Sequence, residues 1–378
     1  MNTDPIKLET MRAGRAFVGE RFNPDMLAIA REAAGLTQKE LADQLGVSQP
    51  LVGQWETKLT LPSQDQLAAA GQILRVRKDF FFVDRSRRLG SMSDFYHRAF
   101  ARAKRSDVKM THARCSIIDL QVDRLLNLRP AINDLIPFIN PDNHAGNIEH
   151  VATMTRVAMG VGAGPVPNLV AAIEECGGIV IDRVLEVEDI DALCRWVPEL
   201  PKLFFINGAK PADRTRRSLA HELGHTVMHF DRDVEPKRAE EQANKFASAF
   251  LMPSRDIRRD FRPIMGLEDF AALKRKWRVS MQSLICRANE IDAIDPVRYT
   301  SLFTQLSRKG WRKTEPIAIA GETPQAFTRL LQMHLEAGYT MSQLASMLFV
   351  DEQWVQSMLR DANSPTWESH GVRMRLAD

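Results

Sequence analysis

Ser218-Leu219-Ala220-His221-Glu222-Leu223-Gly224-His225 decides how this chain is read. His221 and His225 are four residues apart, so on a helix they stand one turn apart on one face and can aim imidazole nitrogens at a single metal ion. Neutral imidazoles suit zinc, whose catalytic sites take three protein ligands and keep a fourth position for water. Glu222, beside the pair, is the expected general base for that water. Leu219, Ala220, Leu223 and Val227 fall together on the far side, so the helix buries one face and turns the histidines toward a cleft. An ordinary core helix with two rim histidines has the same five-residue pattern, so the third ligand matters.

A second helical pattern, Glu240 to Phe250, carries an apolar stripe of Ala243, Phe246, Ala247 and Phe250. Glu240 lies at the edge of that stripe and Glu241 points almost opposite to it, so Glu240 is the expected third ligand. Asn244, one turn on, is placed to hydrogen-bond a ligating histidine. His229 competes for the third place but lies about 12 Å along the helix from His221, and is expected near the cleft and off the metal.

The run His221-Glu222-Leu223-Gly224-His225, then Glu240-x-x-Ala243-Asn244-x-Phe246-Ala247, then Leu251-Met252-Pro253 resembles the ImmA/IrrE family of bacterial zinc metallopeptidases. Gly310-Trp311-Arg312 and Glu315-Pro316 also resemble longer members. The resemblance implies a zincin-like domain with Zn2+ as cofactor, and a repressor or antitoxin-like protein as substrate. No oxyanion-stabilising side chain is assigned; His229, Tyr96 and Arg217 qualify by residue type only.

The whole chain bounds these readings. Its 378 residues, 44% hydrophobic and 26% charged, suit two or three globular domains. A net charge of +3 argues by itself for neither nucleic acid nor membrane. Four scattered cysteines, the absence of an apolar leader and the absence of a membrane-length run point to a cytoplasmic protein.

Toward the amino terminus, Pro24 and Asp25 open a helical pattern that ends at Gly35. Thr37 and Glu40 form a capping box for a second helix, closed by Gly46, and Ser48 caps a third reaching Glu56. Two short helices around a glycine turn make a helix-turn-helix. With Leu45-Gly-Val-Ser48 and Trp55-Glu56, the span resembles Xre-type DNA-binding domains. Gln38 and Lys58 are then expected at phosphate, and Gln49 and Gln54 at base edges of double-stranded DNA. Such domains commonly dimerise, so a homodimer is expected.

Arg85 to Arg105 reads as a basic amphipathic linker, continuing as helix over 107–139. At a constant offset of 303, Ala337-Gly-Tyr-Thr340, Leu344-Ala345, Leu348, Val350 and Val355 repeat Ala34-Gly-Leu-Thr37, Leu41-Ala42, Leu45, Val47 and Val52. Phe349 replaces the turn glycine, and Asp351 and Glu352 would repel phosphate, so this repeat is expected to dimerise or bind a partner.

The predicted fold is mainly α with a small α+β part. It comprises a helix-turn-helix domain over 22–82, a helical linker over 83–146, a metallopeptidase domain with a short sheet over 147–255, a helical extension over 256–320 and a helix-turn-helix-like unit over 321–378. The predicted function is a DNA-binding regulator carrying a zinc-dependent endopeptidase. The alternative is a non-hydrolytic regulator whose peptidase-like domain senses or binds a partner.

Overall fold

The computed structural model describes residues 21–84, 104–127, 134–182, 190–195, 200–230, 232, 234–262 and 264–360. Among them are sixteen α-helices and one three-stranded sheet. The basic run over 85–103, with Tyr96, lies outside the described residues.

At the amino-terminal end stand α1 (Pro24–Ala33), α2 (Gln38–Leu45), α3 (Gln49–Glu56) and α4 (Gln64–Leu74). Their ends follow local chemistry. Asn23 caps α1, Thr37 and Glu40 form the capping box of α2, and Ser63 with Gln66 form that of α4. Gly46 takes the left-handed conformation (φ 68°) that ends α2. Ser48 holds the cap position of α3, but its side chain makes no capping bond. Met26, Leu27, Leu41, Ala42, Val52, Trp55 and Leu67 fill the core between these helices.

The next helix, α5 (Arg105–Leu126), is shorter than the pattern predicts. Pro137 has no amide to continue a helical ladder. Residues 134–140 instead run without helix, with the Leu135 amide donating to Cys176 O and that of Ile139 to Val227 O.

Then come α6 (Ile148–Ala158), α7 (Leu169–Glu175), β1 (Ile179–Asp182), β2 (Ala192–Arg195), β3 (Leu203–Ile206), α8 (Ala212–Met228) and α9 (Pro236–Leu251). The strand order is β1-β3-β2, with β1 parallel and β2 antiparallel to β3. Alternate residues split between two buried faces. Val180, Ala192, Cys194, Phe204 and Ile206 join the core under α8 and α9, whereas Ile179, Ile181, Leu193, Leu203 and Phe205 join a second core opposite. The first core continues beyond residue 255 through α10 (Ser254–Ile257), α11 (Leu267–Trp277), α12 (Met281–Glu290) and α13 (Pro296–Arg308), as far as Leu306. Val157, on α6, is 75% exposed.

Helices α14 (Ala326–Glu336), α15 (Met341–Met347) and α16 (Glu352–Arg360) pack with α5 over the sheet's second face. Thr340 and Gln343 repeat the capping box of Thr37 and Glu40. No described helix is long and apolar enough to cross a membrane.

Candidate metal centre and nucleic-acid interface

Helices α8 and α9 meet closely because Gly224 has no side chain where the Phe246 ring lies. That approach brings His221, His225 and Glu240 together, with one ligand atom from each within 4.8 Å of the others. His221 Nε2 and His225 Nε2 are 3.0 Å apart. Glu240 places one oxygen 3.3 Å from His225 Nε2 and the other 3.6 Å from His221 Nε2. Tetrahedral ligands about 2.0–2.1 Å from a zinc ion are separated by roughly 3.3 Å, so this donor set has the type and spacing zinc requires. Glu241 is exposed.

Burial shapes the electrostatics. It pushes the His225 imidazole down to about 4, which keeps this ring neutral and able to donate a lone pair. For Glu240 burial acts upward, but hydrogen bonds with His221 and His225 outweigh it and hold the carboxyl well below the usual range. Glu222 is raised, chiefly by burial. Its Oε2 accepts the Cys194 amide at 3.0 Å, which fixes the carboxylate between α8 and the outer strand β2.

Asn244 stands elsewhere than expected. Its Nδ2 donates to the Glu240 carbonyl at 2.8 Å and its Oδ1 accepts from Arg217 at 3.3 Å, on an exposed part of α9. A helical amide can satisfy itself on the carbonyl four residues back, and that bond takes it away from the imidazoles. The group that touches a candidate ligand is His229, whose Nδ1 is 3.0 Å from His225 Nδ1 and whose Nε2 is 2.9 Å from Gln242 Oε1. The i+4 spacing from His225 to His229 was the available signal; nothing in the pattern singled out Gln242. Cys194 was also missed, because its four-residue strand was not anticipated.

At the other end of the chain, Gln49 and Gln54 are exposed on α3, and Lys58 is exposed just after it with φ 61°. Gln38 is tied into a polar chain. Arg31 pairs with Glu56 at 2.6 Å, the Gln38 amide donates to Glu56 at 2.8 Å, and Gln49 Nε2 donates to Gln38 Oε1 at 2.9 Å. The chain fixes both glutamines on the outward side of the helix-turn-helix, where a duplex would approach.

Comparison with known families fits both sites. Residues 174–289 match the IrrE N-terminal-like domain of the M78 peptidases, and residues 27–81 match a helix-turn-helix model. The chain is an Xre-type helix-turn-helix fused to an IrrE-like domain. No curated protein matches it significantly. The matched part of the IrrE-like domain contains β1 to β3, α8, α9 and all three candidate ligands.

Proposed function

We propose that this DNA-binding regulator is a zinc-dependent endopeptidase whose substrate is a repressor or antitoxin-like protein, acting in the cytoplasm where the DNA is, as a homodimer on its operator. The observation that carries the reading is the convergence of His221, His225 and Glu240, with Glu222 beside them. Zinc held there would supply a Lewis acid for the scissile carbonyl and lower the pKa of water. Glu222, one residue from His221 and raised by burial, takes a proton from water and returns it to the leaving amine. Its bond to Cys194 limits the directions its second oxygen can face. Gln38 and Lys58 hold phosphates, and Gln49 and Gln54 face base edges.

The test is metal analysis of the purified protein beside His221→Ala and Glu240→Ala, followed by incubation with a proteome-derived peptide library. About one zinc per chain is expected in the wild type and none in the variants. Glu222→Gln should keep zinc and lose cleavage. A zinc-loaded wild type that cuts no more peptide than Glu222→Gln supports the sensor or partner-binding reading instead.

A further inference from the structure

Arg214 and Arg217 lead along α8 toward His221, and their surroundings differ. The three recur at helical spacing, so both arginines share the helix face that carries the candidate ligands. Arg214 Nε is 2.5 Å from Asp191 Oδ2, which also accepts from Ser218 Oγ at 3.4 Å. That cation is neutralised. Arg217, one turn or about 6 Å before His221, makes no ion pair among the described residues. Its guanidinium donates to Asn244 Oδ1 at 3.3 Å, and Asn244 stands one turn past Glu240 on α9. The acids around it are already held, Glu240 by the two histidines and Glu290 by Arg287 at 3.3 Å. A guanidinium has five N–H donors, and here the acceptor is one neutral amide.

The charge of Arg217 also reaches α12. Burial pushes the Cys286 thiol up, while the Tyr299 hydroxyl, 3.9 Å away on α13, and Arg217 act against that rise. Burial raises the Tyr299 phenol too, and Arg312 opposes it. Arg312 is exposed, lies 5.6 Å from the Phe303 ring and makes no ion pair among the described residues. Arg217, Cys286 and Tyr299 are all half-buried, where a charge is screened less than in open water. Two cations without an acid of their own thus flank a phenol and a thiol beside the metal-bearing face. We propose that Arg217 is a specificity-determining residue, the centre of a cationic subsite, completed by Arg312 and Tyr299, that takes a carboxylate of the peptide substrate. The proposal rests on the peptidase reading above. A planar guanidinium matches a carboxylate with two parallel bonds, each about twice as strong as a neutral one, so the anion displaces the Asn244 amide. The carboxylate comes from an Asp or Glu side chain or from the end of the peptide.

The experiment offers short random peptides containing Asp and Glu, and matched peptides with Asn and Gln in their place, each with a free and an amidated carboxy terminus. Binding to the full-length Glu222→Gln protein is read by fluorescence anisotropy, and cleavage by the zinc-loaded wild type by mass spectrometry. Acidic or free-ended peptides should bind about tenfold tighter than their neutral, amidated counterparts. A gain that persists in amidated peptides assigns the carboxylate to a side chain; one confined to free termini assigns it to the chain end. Adding Arg217→Ala should bring the ratio to about one, and Arg217→Glu should invert it in favour of Lys- and Arg-containing peptides. In cleavage the loss should fall on KM and not on kcat, because the subsite holds the substrate away from the reacting bond. No carboxylate preference in the wild type, or one that survives Arg217→Ala, makes Arg217 a solvated surface charge and overturns the subsite while leaving the peptidase reading standing. A carboxylate preference in binding, with no cleavage above that of Glu222→Gln, keeps the subsite and overturns the peptidase reading. If the Arg217 variants do not fold, the wild-type ratio decides alone, and a value of one refutes the proposal.

Discussion

A Cβ on Gly224 would stand 2.9 Å from Phe246 Cδ1, 3.1 Å from Cγ and 3.2 Å from Cβ. The Phe246 ring is fully buried and stacked on Phe250 at 5.5 Å, so it has nowhere to retreat. Gly224→Ala must therefore push α9 from α8 and widen the gap between Glu240 and the histidines. The expected result is a loss of about 1–3 kcal/mol by urea denaturation, with weaker zinc binding in chelator competition; an unshifted midpoint would contradict it. At the amino-terminal end, Lys58 is exposed in a left-handed turn just after α3, and in the proposed reading it meets a phosphate. Lys58→Ala should weaken binding to any duplex and reduce the slope of log affinity against log salt by about 0.9, whereas Gln49→Ala should act only on preferred sequences. Residues of this kind were legible because an i,i+4 spacing encodes a helix face before anything is folded. Asn244 was not, since its spacing is equally compatible with the backbone bond it makes.

Helix α8 is held at the level of whole elements by charges buried along its first turns. Lys274 bridges Asp213 at 2.5 Å and Glu315 at 2.7 Å, and Glu315 also accepts the Met281 amide at the start of α12. Arg216 pairs with Glu322, whose other oxygen accepts the Leu169 and Val170 amides at 2.9 and 3.1 Å and so caps α7. Glu315 and Glu322 both lie past the matched IrrE-like segment, so the chain after α13 returns to brace α8. Glu322→Ala would strand a buried guanidinium and two helix-end amides. The loss should be about 3–5 kcal/mol, read as a lowered thermal midpoint, while Glu322→Gln, which keeps an acceptor for α7, should lose less. A variant as stable as wild type would show that the pair is dispensable. Among the elements, the long amphipathic helices were legible from periodicity. Strand β2 was not, because Ala192-Leu193-Cys194-Arg195 holds no β-branched or aromatic residue, and α5 was overextended because the amides of Leu135 and Ile139 bond to Cys176 and Val227 and not to a helical ladder, which apolar spacing does not record.

Across the whole molecule, the carboxy-terminal repeat has the plan of a helix-turn-helix but its turn is spent on the protein itself. Phe349, where the first repeat has Gly46, keeps the left-handed conformation at φ 59°. Its ring enters the core of the amino-terminal domain, 5.6 Å from Phe80, with the Arg124 guanidinium 3.7 Å above it. Its carbonyl accepts the Arg77 amide at 3.0 Å. The repeat thus joins the DNA-binding domain, α5 and the sheet. The sequence disclosed the repeat and its lost glycine, but the partner of the turn depends on segments more than 200 residues apart, which no local pattern records. Left-handed strain in a bulky residue costs about 1–2 kcal/mol, and burying a phenylalanine ring returns about 3–5 kcal/mol, so burial wins. Phe349→Gly relieves the strain yet loses the ring, and should still leave a net loss of about 2 kcal/mol. Because Gln49 and Gln54 are exposed on α3, outside the core that Phe349 enters, duplex affinity should stay near wild type while limited proteolysis between the amino-terminal domain and α5 becomes faster. Equal proteolysis of variant and wild type would mean that the ring does not fasten the two repeats together.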